Sequence, residues 1–265
     1  LEEIAVQTFT QRTMNRFRSI IESIGSTVIL LLKSLRFLPS LGRQLQLHRL
    51  IDQCLTMGYA TAPLVVILSF SIGAVLALQV GFSFQDFNMQ EYLGSVVGLA
   101  MVRELGPVMT AIMVIGRVGS AITAELASMR IYKEIDALNT MNIPPERILV
   151  LPRLVAITIV MPILTTLSFV SGWLGGAVVG EKASFIGLDY RVYFRVLNQY
   201  VDIDAMMDGL IKAESFGICI VLICCNIGLN TRGGPREIGN SVTKAVVASI
   251  IFTLSFDYFI TQILL

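Results

Sequence analysis

The stretch that decides the fold runs from Val102 to Leu138, VRELGPVMTAIMVIGRVGSAITAELASMRIYKEIDAL, where Arg103, Glu104, Arg117 and Glu125 interrupt an otherwise apolar, small-residue segment. An ionisable group inside a bilayer costs a few kcal/mol or more unless it meets a partner or a water-filled cavity. Four of them on one apolar helix therefore point to a membrane protein with a polar interior.

Composition agrees. The chain is 54% hydrophobic and only 15% charged, with a mean hydropathy of +0.74, whereas soluble chains carry roughly 25% charged residues. A formal net charge of +1 and the lack of a concentrated basic patch exclude a nucleic-acid partner. Cys54, Cys219, Cys224 and Cys225 form no CxxC pattern and His48 is the only histidine, so no metal site or disulfide framework is expected and the cysteines read as small packing residues. The N-terminal residues lack the pattern of a cleavable signal peptide, and an initial Leu suggests a trimmed start.

Hydrophobic segmentation predicts an all-α integral membrane protein with two regions: residues 1–57 as interfacial and elbow helices, and 58–265 as a five-span domain. In the first, Ile20, Ile24, Val28, Leu31, Leu35 and Leu38 recur at helical spacing among Arg12, Arg16, Arg18, Glu22, Lys33 and Arg36, the pattern of a helix lying in the membrane interface. Spans are expected at about 59–82, 93–128, 148–180, 205–229 and 241–264. The second is too long for one simple crossing, at roughly 54 Å against a hydrocarbon core of about 30 Å, and Gly106-Pro107 is where it should bend. Basic residues cluster before span one, between spans two and three (Arg130, Lys133, Arg147, Arg153) and before span five (Arg232, Arg236, Lys244), against Lys182, Arg191 and Arg195 on the other side. That bias places the N-terminus in the cytoplasm and the C-terminus outside.

At 100° per residue, Arg103, Arg117 and Glu125 share a face that should look into the protein or a cavity, provided the Gly-Pro bend leaves the register intact. Gly116, Ser120 and Ala124, and on span three Gly172, Gly176 and Gly180, form small-residue ladders that let backbones approach, within the chain or at a dimer seam. Arg117 and Glu125 are assigned to packing, as ion-pair partners clamping helices, with a functional role left open. Gln79, Arg103, Glu104 and Asp257 fall at similar depth, and a pocket with apolar walls and these few polar anchors would suit an amphiphile. Asp257 could equally be a structural partner of Arg103. Lys212 and Glu214 read as snorkelling or loop-facing charges. From Met129 to about Asn142 a short charged helix closes on Pro144-Pro145. It is too short to span and carries an apolar stripe of Ile131, Ile135 and Leu138 beside Glu134 and Asp136, a surface able to meet a partner.

Taken together, VRELGP, GRVGSAITAELASM, KEIDAL, Pro144-Pro145, LPRLVA and SFDYFIT closely resemble the MlaE (YrbE) family of ABC-transporter permeases. The resemblance implies a homodimeric permease of a bacterial inner membrane that moves phospholipids or related lipids across the cell envelope. Its implied partners are a cytoplasmic ABC ATPase, a STAS-domain protein and a periplasmic MCE-domain protein. Gln79, Arg103 and Glu104 would then belong to the lipid cavity and 129–142 would be the coupling helix. Many relatives carry an acidic pair where this chain has Lys133-Glu134, which leaves Glu134 and Asp136 as the charged contacts with the ATPase. No GxxxxGK[ST] loop is present, so ATP must be bound by another subunit. No nucleophile and base accompany the membrane carboxylates, so the chain is not expected to be an enzyme. The rival reading is an ion-gradient-driven secondary transporter or channel for amphiphiles, for which the five spans offer no inverted repeat.

Overall fold

The computed structural model describes residues 25–34, 36–37, 44–184 and 186–264. The expected interfacial helix therefore lies largely outside the described residues, and only its end, α1 (Gly25–Ser34), is placed. There follow α2 (Gln44–Cys54), α3 (Ala62–Gln85), α4 (Gln90–Ile131), α5 (Glu134–Thr140), α6 (Glu146–Lys182), α7 (Tyr190–Tyr200), α8 (Ile203–Leu229) and α9 (Arg236–Leu264). Among the described residues there is no strand, and five helices are long and apolar enough to cross a membrane: α3 with the turn before it, α4, α6, α8 and α9. The fold is all-α and multi-pass, with the five spans at the expected places.

Contacts sort the connections onto two ends. Ser26 and Thr27 of α1 accept hydrogen bonds from the Asn226 amide near the end of α8, at 2.8 and 3.0 Å, and Lys33 lies 3.8 Å from Glu146 at the start of α6. At the other end α7 packs on the start of α4, with the Tyr200 ring 6.3 Å from that of Tyr92. The α1 region, the α4–α6 connection and the α8–α9 connection thus share one end. The α3–α4 and α6–α8 connections share the other.

The core has two parts. One, at the meeting of α4, α6 and α8, holds Val114, Ile115, Leu126, Ile157, Met161, Phe216 and Ile220. The other caps the α7 end with Leu93, Val97, Met101, Tyr193 and Leu197. Glycines permit the closest approach between α3 and α6. A Cβ on Gly73 would strike the Gly172 backbone, and one on Gly175 the backbone of Phe70. Gly172 and Gly176 further receive Met101 and the Tyr193 ring, so the span-three ladder serves packing inside the chain. Among the described residues nothing lies within 4 Å of a Cβ position on Gly116, so the span-two ladder is open at that residue.

The long α4 is not a uniform helix. Wide i→i+5 turns replace ordinary ones at Met101–Leu105 and Ile115–Gly119. Each inserts extra backbone per turn and so changes the direction in which later side chains point. The first immediately precedes Gly106-Pro107, where a break was expected.

Candidate functional site

Pro107 has no N–H, so the carbonyl of Arg103, four residues earlier, loses its ordinary helical donor. Lys212 of α8 fills the gap: its Nζ donates to Arg103 O at 3.1 Å. The same ammonium donates to Glu104 Oε2 at 2.7 Å and to Thr261 Oγ1 at 2.7 Å, which uses its three protons. Asp257 Oδ1 also sits 2.7 Å from Nζ, so the ammonium forms an ion pair with a second carboxylate. The Thr261 hydroxyl in turn lies 2.8 Å from the Asp257 carbonyl and 3.2 Å from Glu104 Oε1. Lys212 is only 2% exposed, while the Glu104 and Asp257 side chains are 42% and 20% exposed.

This corrects the reading of Lys212 as a snorkelling charge. Snorkelling needs a path to water, and the ammonium is enclosed by α4, α8 and α9 with carboxylates to meet it. Nor does Asp257 pair with Arg103; it pairs with Lys212. Of the four residues assigned to one pocket, Glu104 and Asp257 come together on Lys212, and Arg103 joins through its carbonyl while its side chain is exposed. Gln79 is exposed on α3, and its own carbonyl accepts the Ser83 hydroxyl. Lys212 and Thr261 escaped the sequence reading. Counting four residues back from Pro107 to an unsatisfied carbonyl was the available clue that a donor was needed there.

The charged face of α4 does not point into the chain's own core. Arg103, Gly116, Arg117, Ala121 and Glu125 are all exposed. Arg117 Nη1 reaches Thr61 Oγ1, just before α3, at 3.3 Å, and Glu125 Oε2 meets Arg153 Nη2 at 2.6 Å. Both contacts clamp neighbouring helices. Arg153, counted above as a charge between spans two and three, lies within α6 and is 3% exposed. Ser120 turns its hydroxyl back onto the Gly116 carbonyl.

At the other end of α4 the expected helix from Met129 is shorter. Ile131 still belongs to α4, the backbone turns at Lys133 with φ +61°, and α5 begins at Glu134. Ile135 is buried and Leu138 half-buried, anchoring α5, while Glu134 and Asp136 are exposed. Asp136 Oδ1 accepts from Arg130 Nη1 at 2.6 Å, tying α5 to the last turn of α4. A cavity of about 530 Å³ opens beside α5, lined by Leu30, Arg130, Ile135, Asn139 and Glu146 among others.

A multi-pass helical protein with a bridged charge cluster inside its spans and a short amphipathic helix clamped between two of them has the architecture of a transport permease. The model of the MlaE permease family matches residues 50–263. The chain is 38% identical over 221 residues to a probable ABC transporter permease protein of Rickettsia typhi, covering 83% of this chain and 84% of that one. It is 31% identical over 228 residues to one of Synechocystis, 86% of each chain. It is 32% identical over 216 residues to the intermembrane phospholipid transport system permease protein MlaE of Haemophilus influenzae, 81% of this chain and 82% of that one. The chain belongs to the MlaE permease family, and its role is that of an ABC-transporter permease subunit and not of an enzyme.

Proposed function

We propose that this permease moves phospholipids or related lipids across a bacterial cell envelope, with Glu104, Lys212 and Asp257 holding the headgroup and the exposed Arg103 and Gln79 as further polar anchors. The observation that carries this reading is the Lys212 ammonium shared by two carboxylates that remain partly open and tied to the Arg103 carbonyl. Such a cluster sets a few polar groups against apolar helix walls, which is what an amphiphile needs. It lies about 14 Å along α8 from the helix start, within the half of the spans nearer α7.

Two copies of the chain form the working unit, and a separate cytoplasmic ATPase binds ATP and pushes on α5. A STAS-domain protein and a periplasmic MCE-domain protein complete the assembly. The N-terminus faces the cytoplasm and the C-terminus the periplasm of the inner membrane, as the basic bias of the α5 end supports. Ile131, Ile135 and Leu138 seat the coupling helix, and Glu134 and Asp136 present its charge.

Mass spectrometry of the gently extracted complex tests the assembly and the cargo together. The expected result is two copies of the chain with ATPase subunits in fixed ratio and retained phospholipid, with the lipid diminished in Arg103→Glu while the ATPase stays bound. A chain that carries no ATPase in any mild detergent, yet moves amphiphile on an ion gradient, overturns the proposal.

A further inference from the structure

The α7 helix, YRVYFRVLNQY, has a polar face that the permease reading leaves unused. Its apolar side is committed: Tyr193 and Leu197 are buried against α4 and α6, where Tyr193 meets Gly176. Opposite them Arg191, Arg195, Asn198 and Gln199 are exposed, at positions that fall on one helical face. Tyr190 and Tyr200 mark the two ends of the helix, 47% and 43% exposed, and Tyr200 packs edge-on against Tyr92. Amphipathic tyrosines at the ends of spans sit at headgroup level. An 11-residue helix between two spans with tyrosines at both ends fits the membrane–water boundary, and residues 191 and 195 are about 6 Å apart along its axis.

Neither guanidinium meets a carboxylate in an ion pair among the described residues. Arg191 Nε donates to Tyr190 Oη at 3.2 Å and its guanidinium lies 5.7 Å from the centre of that ring, which steadies the exposed side chain beside the tyrosine. Asp189 is occupied as the helix cap, its Oδ1 accepting from Arg191 N at 2.7 Å. The end as a whole is acidic, with Asp86, Glu91, Glu181, Asp202 and Asp204 on its connections. Carboxylates thus outnumber Lys182, Arg191 and Arg195 at this end, so a lipid phosphate is drawn not by a general positive field but by the locally paired arginines. Arginine is suited to this because its planar fork matches a phosphate's oxygens.

We propose that Arg191 and Arg195 form a lipid-phosphate site on the outer face of α7, where a phospholipid of the surrounding leaflet docks by its headgroup. The site is separate from the interior cluster around Lys212 and does not depend on which lipid is carried. Its occupant is the headgroup of a bilayer lipid and not an acidic protein surface, since the helix lies at headgroup level with tyrosines on both sides of the pair.

The test uses the full chain in nanodiscs of phosphatidylcholine with a minor share of phosphatidylglycerol, with retained phosphatidylglycerol counted by native mass spectrometry after release. Each surface arginine contributes a factor of about five, so Arg191→Gln with Arg195→Gln should weaken retention roughly thirty-fold. The Arg191→Lys, Arg195→Lys pair should keep much of it. Repeating the comparison in a Lys212→Met background removes confusion with lipid held inside. Circular dichroism establishes that the variants keep their helix content. Equal retention by the glutamine pair and the unmodified chain overturns the site. So does unchanged lipid accompanied by loss of a co-purifying periplasmic protein, which would assign the arginines to a protein surface.

Discussion

One ammonium serves two carboxylates, a hydroxyl and a main-chain carbonyl, so the energetics of the Lys212 cluster are asymmetric. Lys212→Met keeps the volume and apolar stem but leaves Glu104 and Asp257 facing each other without a cation. Removing one member of a buried pair costs about 3–5 kcal/mol, and the partial exposure of Glu104 places this case at the lower end. Glu104→Gln should cost much less, because Lys212 retains Asp257 and Thr261. Combining Lys212→Met with Glu104→Gln should recover part of the loss, a coupling of about 1–3 kcal/mol. Unfolding of each variant in detergent, read as apparent midpoints and free energies, gives this cycle. Strictly additive losses would mean that the two side chains do not act as a pair. The cluster was half legible in the sequence. Glu104 and Asp257 stood out because acids in apolar spans are expensive, but Lys212 did not, since a lysine's choice between snorkelling and burial depends on partners 108 and 45 residues away along the chain.

Elements show the same division between what periodicity reveals and what it hides. The apolar runs located all five spans, and the stripe of Ile131, Ile135 and Leu138 revealed the helix between two of them. Its start was hidden because the left-handed turn falls on Lys133 and not on a glycine, so no breaker marks it. The polar face of α7 was equally hidden while Arg191 and Arg195 were counted only as charges on one side. In α5 the Arg130–Asp136 bridge changes the expectation for Asp136. The carboxylate is held by its own chain, so Asp136→Lys should misplace α5 through repulsion with Arg130 and lower ATPase co-purification. An exposed bridge contributes only about 0–1 kcal/mol to stability, so the chain should remain folded. The exchange Arg130→Asp with Asp136→Arg restores the attraction and should restore co-purification. If the exchange stays defective while the fold is intact, Asp136 acts directly on the partner. Glu134→Lys, lacking such a bridge, should lose the partner with no rescue from position 130.

Across the whole molecule burial is uneven: 61% of the most apolar window of α6 is buried, against 28% for span one and 11% for α9. Exposed apolar side chains on the outlying spans, such as Ile67, Ile251 and Phe259, need only lipid. The face of α4 carrying Arg103, Gly116, Arg117 and Glu125 differs, because guanidinium and carboxylate groups are poorly suited to hydrocarbon. Its small residues leave room for a neighbouring backbone, and Gly116 has open space above it. A second copy brought against this face, or closing a wet cavity over it, would shelter the charges without any change inside the chain. The sequence showed that this face is polar and small. It could not show that the face is left open by the described residues, because that is set by where α3, α6 and α8 settle around α4. Gly116→Trp places a large side chain in that space without touching the chain's own packing. The expected outcome is a shift from two copies to one in light scattering of the purified protein, with helix content and apparent thermal midpoint close to those of the unmodified chain. Gly172→Val is the internal comparison: its added methyls meet Met101 inside the chain, so it should lower the midpoint. A Gly116→Trp protein that remains two copies places the contact between copies elsewhere and leaves this face to water or lipid headgroups.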